Sequence, residues 1–320
     1  MRALTRALAA AAVLLVALGG CAATGSESET VKPANLTVYP ELKTYPNIPV
    51  IEDLPYGTED GEPLLLDVCL PEGDVETSTP RPAIVSIHGG SWMRGDKANA
   101  AWRSVCQWLA SEGFVTVSIN YRLAPAATFP AQLNDAQAAV EWLRDPAQTE
   151  RYNLNPDEIG AFGGSAGGNL AALLGTTGEG DWTTGSRVAA VAALSAPTDI
   201  RERIPTTDAY NQDFGMVQLT YLGCTDLSTC PAASAASPVT LVDATDPPFF
   251  VAHAEDDFIP ISQSDALVTA LRNVGVETTY VTVKGAMHSI GLLDDDMMAR
   301  IITFFSAALS SAPVPFANAQ

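Results

Sequence analysis

From position 64 onward the chain alternates short apolar runs with longer stretches of helical spacing. Ala83-Ile84-Val85-Ser86-Ile87 is a nearly unbroken apolar run, the signature of a strand buried on both faces. Positions 64–70, 114–121, 188–194, 249–252 and 277–283 have the same β-branched or apolar character and read as further strands. Positions 157–162 pass as another, short and buried. Between them, positions 99–112 and 130–143 read as helices. The second carries Leu133, Ala136, Val140 and Leu143 on one face. Positions 169–174, 262–274 and 294–309 continue the helical series. Strands and helices alternating at this length predict an α/β fold with a mostly parallel sheet covered on both faces. One segment breaks the pattern. Positions 196–248 hold Pro, Asp, Thr and two Cys with weak helical signals, so 197–247 is read as a small cap or insert over the strand ends.

The N-terminus does not belong to this alternation. Arg2 and Arg6 precede an apolar run over 7–18 that is short for a membrane span. Leu18-Gly19-Gly20-Cys21 resembles a bacterial lipobox, which implies cleavage before Cys21 and lipidation of that residue. The expected organisation is a signal peptide over 1–20 and a polar, Pro-containing tether over 21–45. The main α/β domain over 46–312 and a tail over 313–320 follow. The expected location is outside the cytoplasm, lipid-anchored at a bacterial cell membrane or released from it. The anchor is the only membrane contact expected.

A hydrophobic content of 47% in 320 residues is enough for one large core. Removing residues 1–20, which carry two Arg and no acid, takes the formal net charge from −20 to −22. That sign argues against a nucleic-acid partner, since phosphate binding needs a basic face. Export permits disulfides. Cys224 with Cys230 is one expected pair and Cys69 with Cys106 a second. No His lies near them at ligand spacing, so no metal is expected there. The Asp294-Asp295-Asp296 run is read as the acidic first turn of a helix rather than a metal site.

Candidate chemistry collects just after the predicted strands, where open α/β sheets bind ligands. Gly163-Gly164-Ser165-Ala166-Gly167 fits G-x-S-x-G, with a strand entering and a helix leaving. Such a turn exposes the Ser165 hydroxyl at a helix N-terminus and offers the Ala166 N–H to an oxyanion. A serine nucleophile needs a base, and the chain has three histidines. His88 lies in a glycine-rich loop and His253 finishes a strand, so His288, in the loop after the last strand, is the expected base. The acid should fall between Ser165 and His288. Counting forward from His253 favours Asp257, and counting back from Pro260 favours Asp256. Spacing from the strand end should vary less than the loop, so Asp257 is expected and Asp256 is the alternative. Asp199 is a remote third. His88-Gly89-Gly90-Ser91-Trp92 should supply the other side of the oxyanion hole, because adjacent small residues leave backbone N–H groups unobstructed.

These segments, together with Asn120-Tyr121-Arg122-Leu123-Ala124-Pro125 and Phe129-Pro130-Ala131-Gln132, resemble the α/β-hydrolase esterases. The similarity is to the hormone-sensitive-lipase-like carboxylesterases and the acetyl-xylan/feruloyl-esterase-like (BD-FAE) enzymes, over roughly positions 60–310. Ser91 replaces the third glycine of the lipase-like HGGG, and Trp92 favours the BD-FAE side. The resemblance implies ester hydrolysis by Ser165, His288 and the Asp, with Gly90, Ser91 and Ala166 lining the oxyanion hole. It requires no cofactor. The expected substrate is a small-molecule or carbohydrate ester with a short acyl group. An arylformamidase or peptidase on the same fold, or a non-catalytic hydrolase-fold surface protein, are the alternatives.

Overall fold

The computed structural model describes residues 42–59, 61–73, 79–208 and 212–310. The expected signal peptide, the Cys21 lipidation site, most of the tether and the tail lie outside them. Eight strands make one sheet: β1 (Val50–Glu59), β2 (Glu62–Cys69), β3 (Arg81–Ile87), β4 (Val115–Ile119), β5 (Leu154–Gly164), β6 (Ala190–Leu194), β7 (Phe249–Ala254) and β8 (Thr278–Val283). Their order is β1-β2-β4-β3-β5-β6-β7-β8. β2 runs antiparallel to both β1 and β4, and every other neighbouring pair is parallel.

The apolar runs form central strands because both of their faces are covered. Along β3, Ala83, Val85 and Ile87 enter one core with Val140, Leu143 and Leu170, while Ile84 enters the other with Trp102, Trp108 and Phe305. Helices α1 (Ala100–Ser111) and α8 (Asp295–Leu309) supply the second core. Helices α2 (Ala131–Arg144) and α4 (Ala166–Thr176) supply the first. The expected stripe of Leu133, Ala136, Val140 and Leu143 on α2 is buried throughout. Asp294 caps α8 by accepting from the Met297 N–H, with Asp295 and Asp296 in the first turn, where the helix dipole favours acids.

Four elements were not expected. β1 is an edge strand with only Tyr56 buried, so it lacks an apolar run. α3 (Pro146–Tyr152) is two turns long and buries only Tyr152. Within 197–247, α5 (Phe214–Leu222) buries one broad face through Phe214, Val217, Gln218, Tyr221 and Leu222 while the apolar Met216 is exposed on the other side, and α6 (Pro231–Ala235) is barely one turn. α7 (Ser262–Asn273) follows β7. Tyr221 of α5 stacks on the buried Trp92 ring at 4.1 Å and 4°, so the segment packs onto the loop after β3.

Cys69 is bonded to Cys106, joining β2 to α1, and Cys224 to Cys230, closing a short turn. The first spans 37 residues and the second 6, so loop-closure entropy assigns them about 4 and about 2 kcal/mol. Replacing Cys69 and Cys106 together by Ala should therefore lower Tm by roughly 10 °C in a thermal melt. Replacing Cys224 and Cys230 should lower it by about half as much. An order reversed between the two double variants would contradict the loop-length account.

Candidate active site

The turn that carries Ser165 is built by a strand that stops and a helix that starts with a single residue between them. β5 ends at Gly164, α4 begins at Ala166, and Ser165 between them sits at φ 57° and ψ −123°. A serine held there is strained, and the surroundings hold it by packing and by the Ser165 N–H bond to the Leu194 carbonyl at 2.8 Å. The flanking glycines are required by close approach. A Cβ on Gly163 would lie 2.1 Å from the Gly167 carbonyl oxygen, and one on Gly167 would lie 2.0 Å from that of Ile87. The side chain of Ser165 makes no cap bond to its own helix.

The loop after β3 passes directly over this elbow. A Cβ on Gly89 would stand 2.9 Å from the Gly164 carbonyl oxygen and 3.3 Å from the Ser165 Cβ. Gly90, Ser91 and Trp92 all have positive φ, at 127°, 56° and 55°. Among the described residues, nothing accepts a hydrogen bond from the N–H of Gly90, Ser91 or Ala166. His88 anchors the loop's start. Its ring stacks on Tyr121 at 4.3 Å, its carbonyl accepts from the Tyr121 hydroxyl at 3.0 Å, and its Nδ1 lies 2.9 Å from the Gly89 carbonyl. Burial pushes the His88 pKa down to about 4, so the ring is neutral and Nδ1 donates. His88 is a scaffold for the loop.

His288 and Asp257 meet at the same rim. The His288 Nδ1 lies 2.9 and 3.0 Å from the two Asp257 carboxylate oxygens, and the Asp257 side chain is fully buried. Asp257 also accepts from the Ile259 N–H at 3.1 Å. Against a carboxylate Nδ1 must donate, which leaves the His288 Nε2 with a lone pair. Phe258 packs on the His288 ring, 4.2 Å between centroids. The next residue, Ser289, is at φ 58° and gives its N–H to the Ser195 hydroxyl at 2.9 Å. Its Oγ sits 2.1 Å from where Gly164 would carry a Cβ. The residue following His288 is thereby wedged against the residue preceding Ser165.

The other candidates sit elsewhere. Asp256 is exposed, and its backbone N–H donates to the Gly285 carbonyl. Asp199 pairs with Arg201 at 2.6 Å. His253 is fully buried between the Ser264 hydroxyl at 2.7 Å and the Ile259 carbonyl at 2.8 Å, and burial lowers its pKa. Sequence reasoning missed Ser195, whose hydroxyl holds the His288 loop, and Asp208, whose carboxylate bonds Ser91. Neither carries a local pattern. Beside the acid loop lies an open groove of about 1120 Å³, lined by Asp199, Arg201, Arg203, Asp226, Pro260 and Gln263 among others.

The BD-FAE family model matches residues 66–271, which takes in β3, the elbow and the acid loop. The chain belongs to the BD-FAE family. Esterase LipQ of Mycobacterium tuberculosis is 30% identical over 278 residues, covering 84% of this chain and 64% of that protein. Esterase LipC of the same organism is 32% identical over 252 residues, covering 75% and 59%. The BD-FAE chain thus spans about three fifths of the length of these relatives. A solved truncated carbohydrate esterase from gut microbiota superposes with a TM-score of 0.69 at 27% identity, over 85% of this chain and 98% of that one. The architecture is the α/β-hydrolase fold.

Proposed function

We propose that this protein is a serine carboxylesterase for short-chain esters, acetyl or sugar-linked ones foremost. The observation that carries the reading is the buried Asp257 carboxylate on the His288 Nδ1, on a loop whose Ser289 abuts Gly164, the residue before the strained Ser165. His288 Nε2 takes the proton as Ser165 Oγ attacks the ester carbonyl carbon. The carbonyl oxygen becomes an oxyanion facing the N–H groups of Gly90, Ser91 and Ala166. Its collapse breaks the bond to the alcohol oxygen, which leaves with the proton from His288. Water, deprotonated by the same imidazole, then attacks the acyl-serine and releases the acid and free Ser165. The likeness to a solved carbohydrate esterase supports a polar alcohol such as a sugar, with residues 197–247 acting as the cap. The chemistry of the N-terminal segment supports export and anchoring through lipid on Cys21.

Incubation with a fluorophosphonate, followed by peptide mapping, tests the nucleophile. The adduct is expected on Ser165, accompanied by loss of p-nitrophenyl acetate hydrolysis. A panel of p-nitrophenyl esters of increasing acyl length, with acetylated xylan beside them, should show turnover falling beyond short acyl chains. Stoichiometric labelling elsewhere, or no turnover of any ester, would remove the reading.

A further inference from the structure

Ser91 holds a conformation that serine seldom adopts, inside a turn whose Gly90 carbonyl accepts from the Met93 and Arg94 N–H groups at 3.1 Å, and a residue far along the chain adds a further hold. The Ser91 φ of 56° falls in the left-handed region, where a Cβ crowds the following carbonyl. Its side chain is buried, and its Oγ donates to the Asp208 Oδ2 at 3.1 Å, across 117 residues of sequence. Asp208 is itself fully buried and held in place. Its Oδ1 accepts from the Gln212 N–H at 2.8 Å, and its own N–H donates to the Gln212 carbonyl at 2.8 Å. The Arg94 guanidinium stands 4.0 Å from Oδ2 and also donates to the Gln212 side chain. The proposed mechanism makes no use of this carboxylate.

Resting on the esterase reading above, we propose that Asp208 is a positioning residue. By holding the Ser91 hydroxyl, it keeps the Ser91 backbone in the left-handed region with its N–H facing the oxyanion. Released from that bond, the peptide between Gly90 and Ser91 is held only by the Met93 and Arg94 N–H bonds to the Gly90 carbonyl, and the Ser91 N–H is aimed less firmly. Glycine at position 91 would need no such hold, because it enters positive φ freely. Arg94 beside the carboxylate offsets a negative charge that would otherwise oppose the oxyanion.

A double-mutant cycle tests this, since it reads whether one residue acts through another. Asp208→Ala should lower kcat about 10- to 100-fold on p-nitrophenyl acetate, in the range of a weakened oxyanion donor, with KM changed less than about threefold. Affinity for a trifluoromethyl ketone inhibitor should fall in parallel with kcat/KM. Ser91→Ala, which leaves Asp208 in place, should lose a similar factor and make the same shift in inhibitor affinity. Taking the Ser91→Gly enzyme as reference, whatever its own rate, adding Asp208→Ala should change kcat less than about threefold. A loss that persists undiminished in the Ser91→Gly background, or a full kcat in both Asp208→Ala and Ser91→Ala, overturns the positioning role while the hydrolase stands. A parent enzyme that hydrolyses no ester removes both.

Discussion

Ser165→Ala is expected to lower kcat on p-nitrophenyl acetate by about 10⁴- to 10⁶-fold, with KM nearly unchanged and Tm within a few degrees of the parent. The loss is large because the hydroxyl would be the bond-forming atom, and no neighbouring group can substitute for it. The residual rate should still exceed that of water, since the oxyanion donors remain. Structural integrity is expected because the side chain makes no cap bond to its helix, so removing its oxygen leaves no partner unsatisfied. The elbow itself rests on the Gly163 and Gly167 approaches and on the Ser165 N–H bond to Leu194, all of which alanine keeps. Alanine at φ 57° has the same Cβ as serine and adds no new crowding. Parental turnover by a purified Ser165→Ala enzyme would end the proposal that Ser165 is the nucleophile.

What the sequence exposed and what it hid follows from where each residue obtains its contacts. Central strands such as β3 and β6 are apolar because helices cover both faces, and that requirement is written residue by residue. β1 was illegible because an edge strand owes the core little. Its Asp53 at φ 57°, its Pro55 and its shifts of register against β2 all weaken the strand pattern. α5 escaped because its apolar residues are not confined to the buried face: Met216 is apolar and exposed, so no polar side sets off the stripe of Phe214, Val217, Tyr221 and Leu222. The same contrast holds at the site. Ser165 was legible from the glycines that its turn demands, and His288 and Asp257 from their positions after strands. Asp208 and Ser195 act through single hydrogen bonds to residues 117 and 94 positions away, and one polar residue in a loop leaves no periodic trace.

The choice of acid yields the second large effect. Asp257→Asn should lower kcat by about 10³- to 10⁴-fold, as in other triads whose acid becomes an amide, whereas Asp256→Asn should stay within about twofold of the parent. An asparagine at 257 can still accept from the Ile259 N–H, so the loop should keep its shape. What changes is the imidazole. The Asp257 carboxylate only accepts, so it fixes the proton on the His288 Nδ1 and leaves Nε2 basic. An amide can present its NH₂ to Nδ1 instead, which moves the ring proton to Nε2 and leaves no base for the serine. The carboxylate would also stabilise the imidazolium formed on deprotonating Ser165 in the proposed mechanism, and a neutral amide would not. His253 cannot take over, because both its ring nitrogens are engaged and burial favours its neutral form. Asp256 is exposed, and Asn retains the backbone N–H that bonds Gly285. Steady-state kinetics on both variants, with Tm measured alongside, decide the matter. Equal losses at the two positions, or a loss at 256 alone, would mean that the acid of this site is not Asp257.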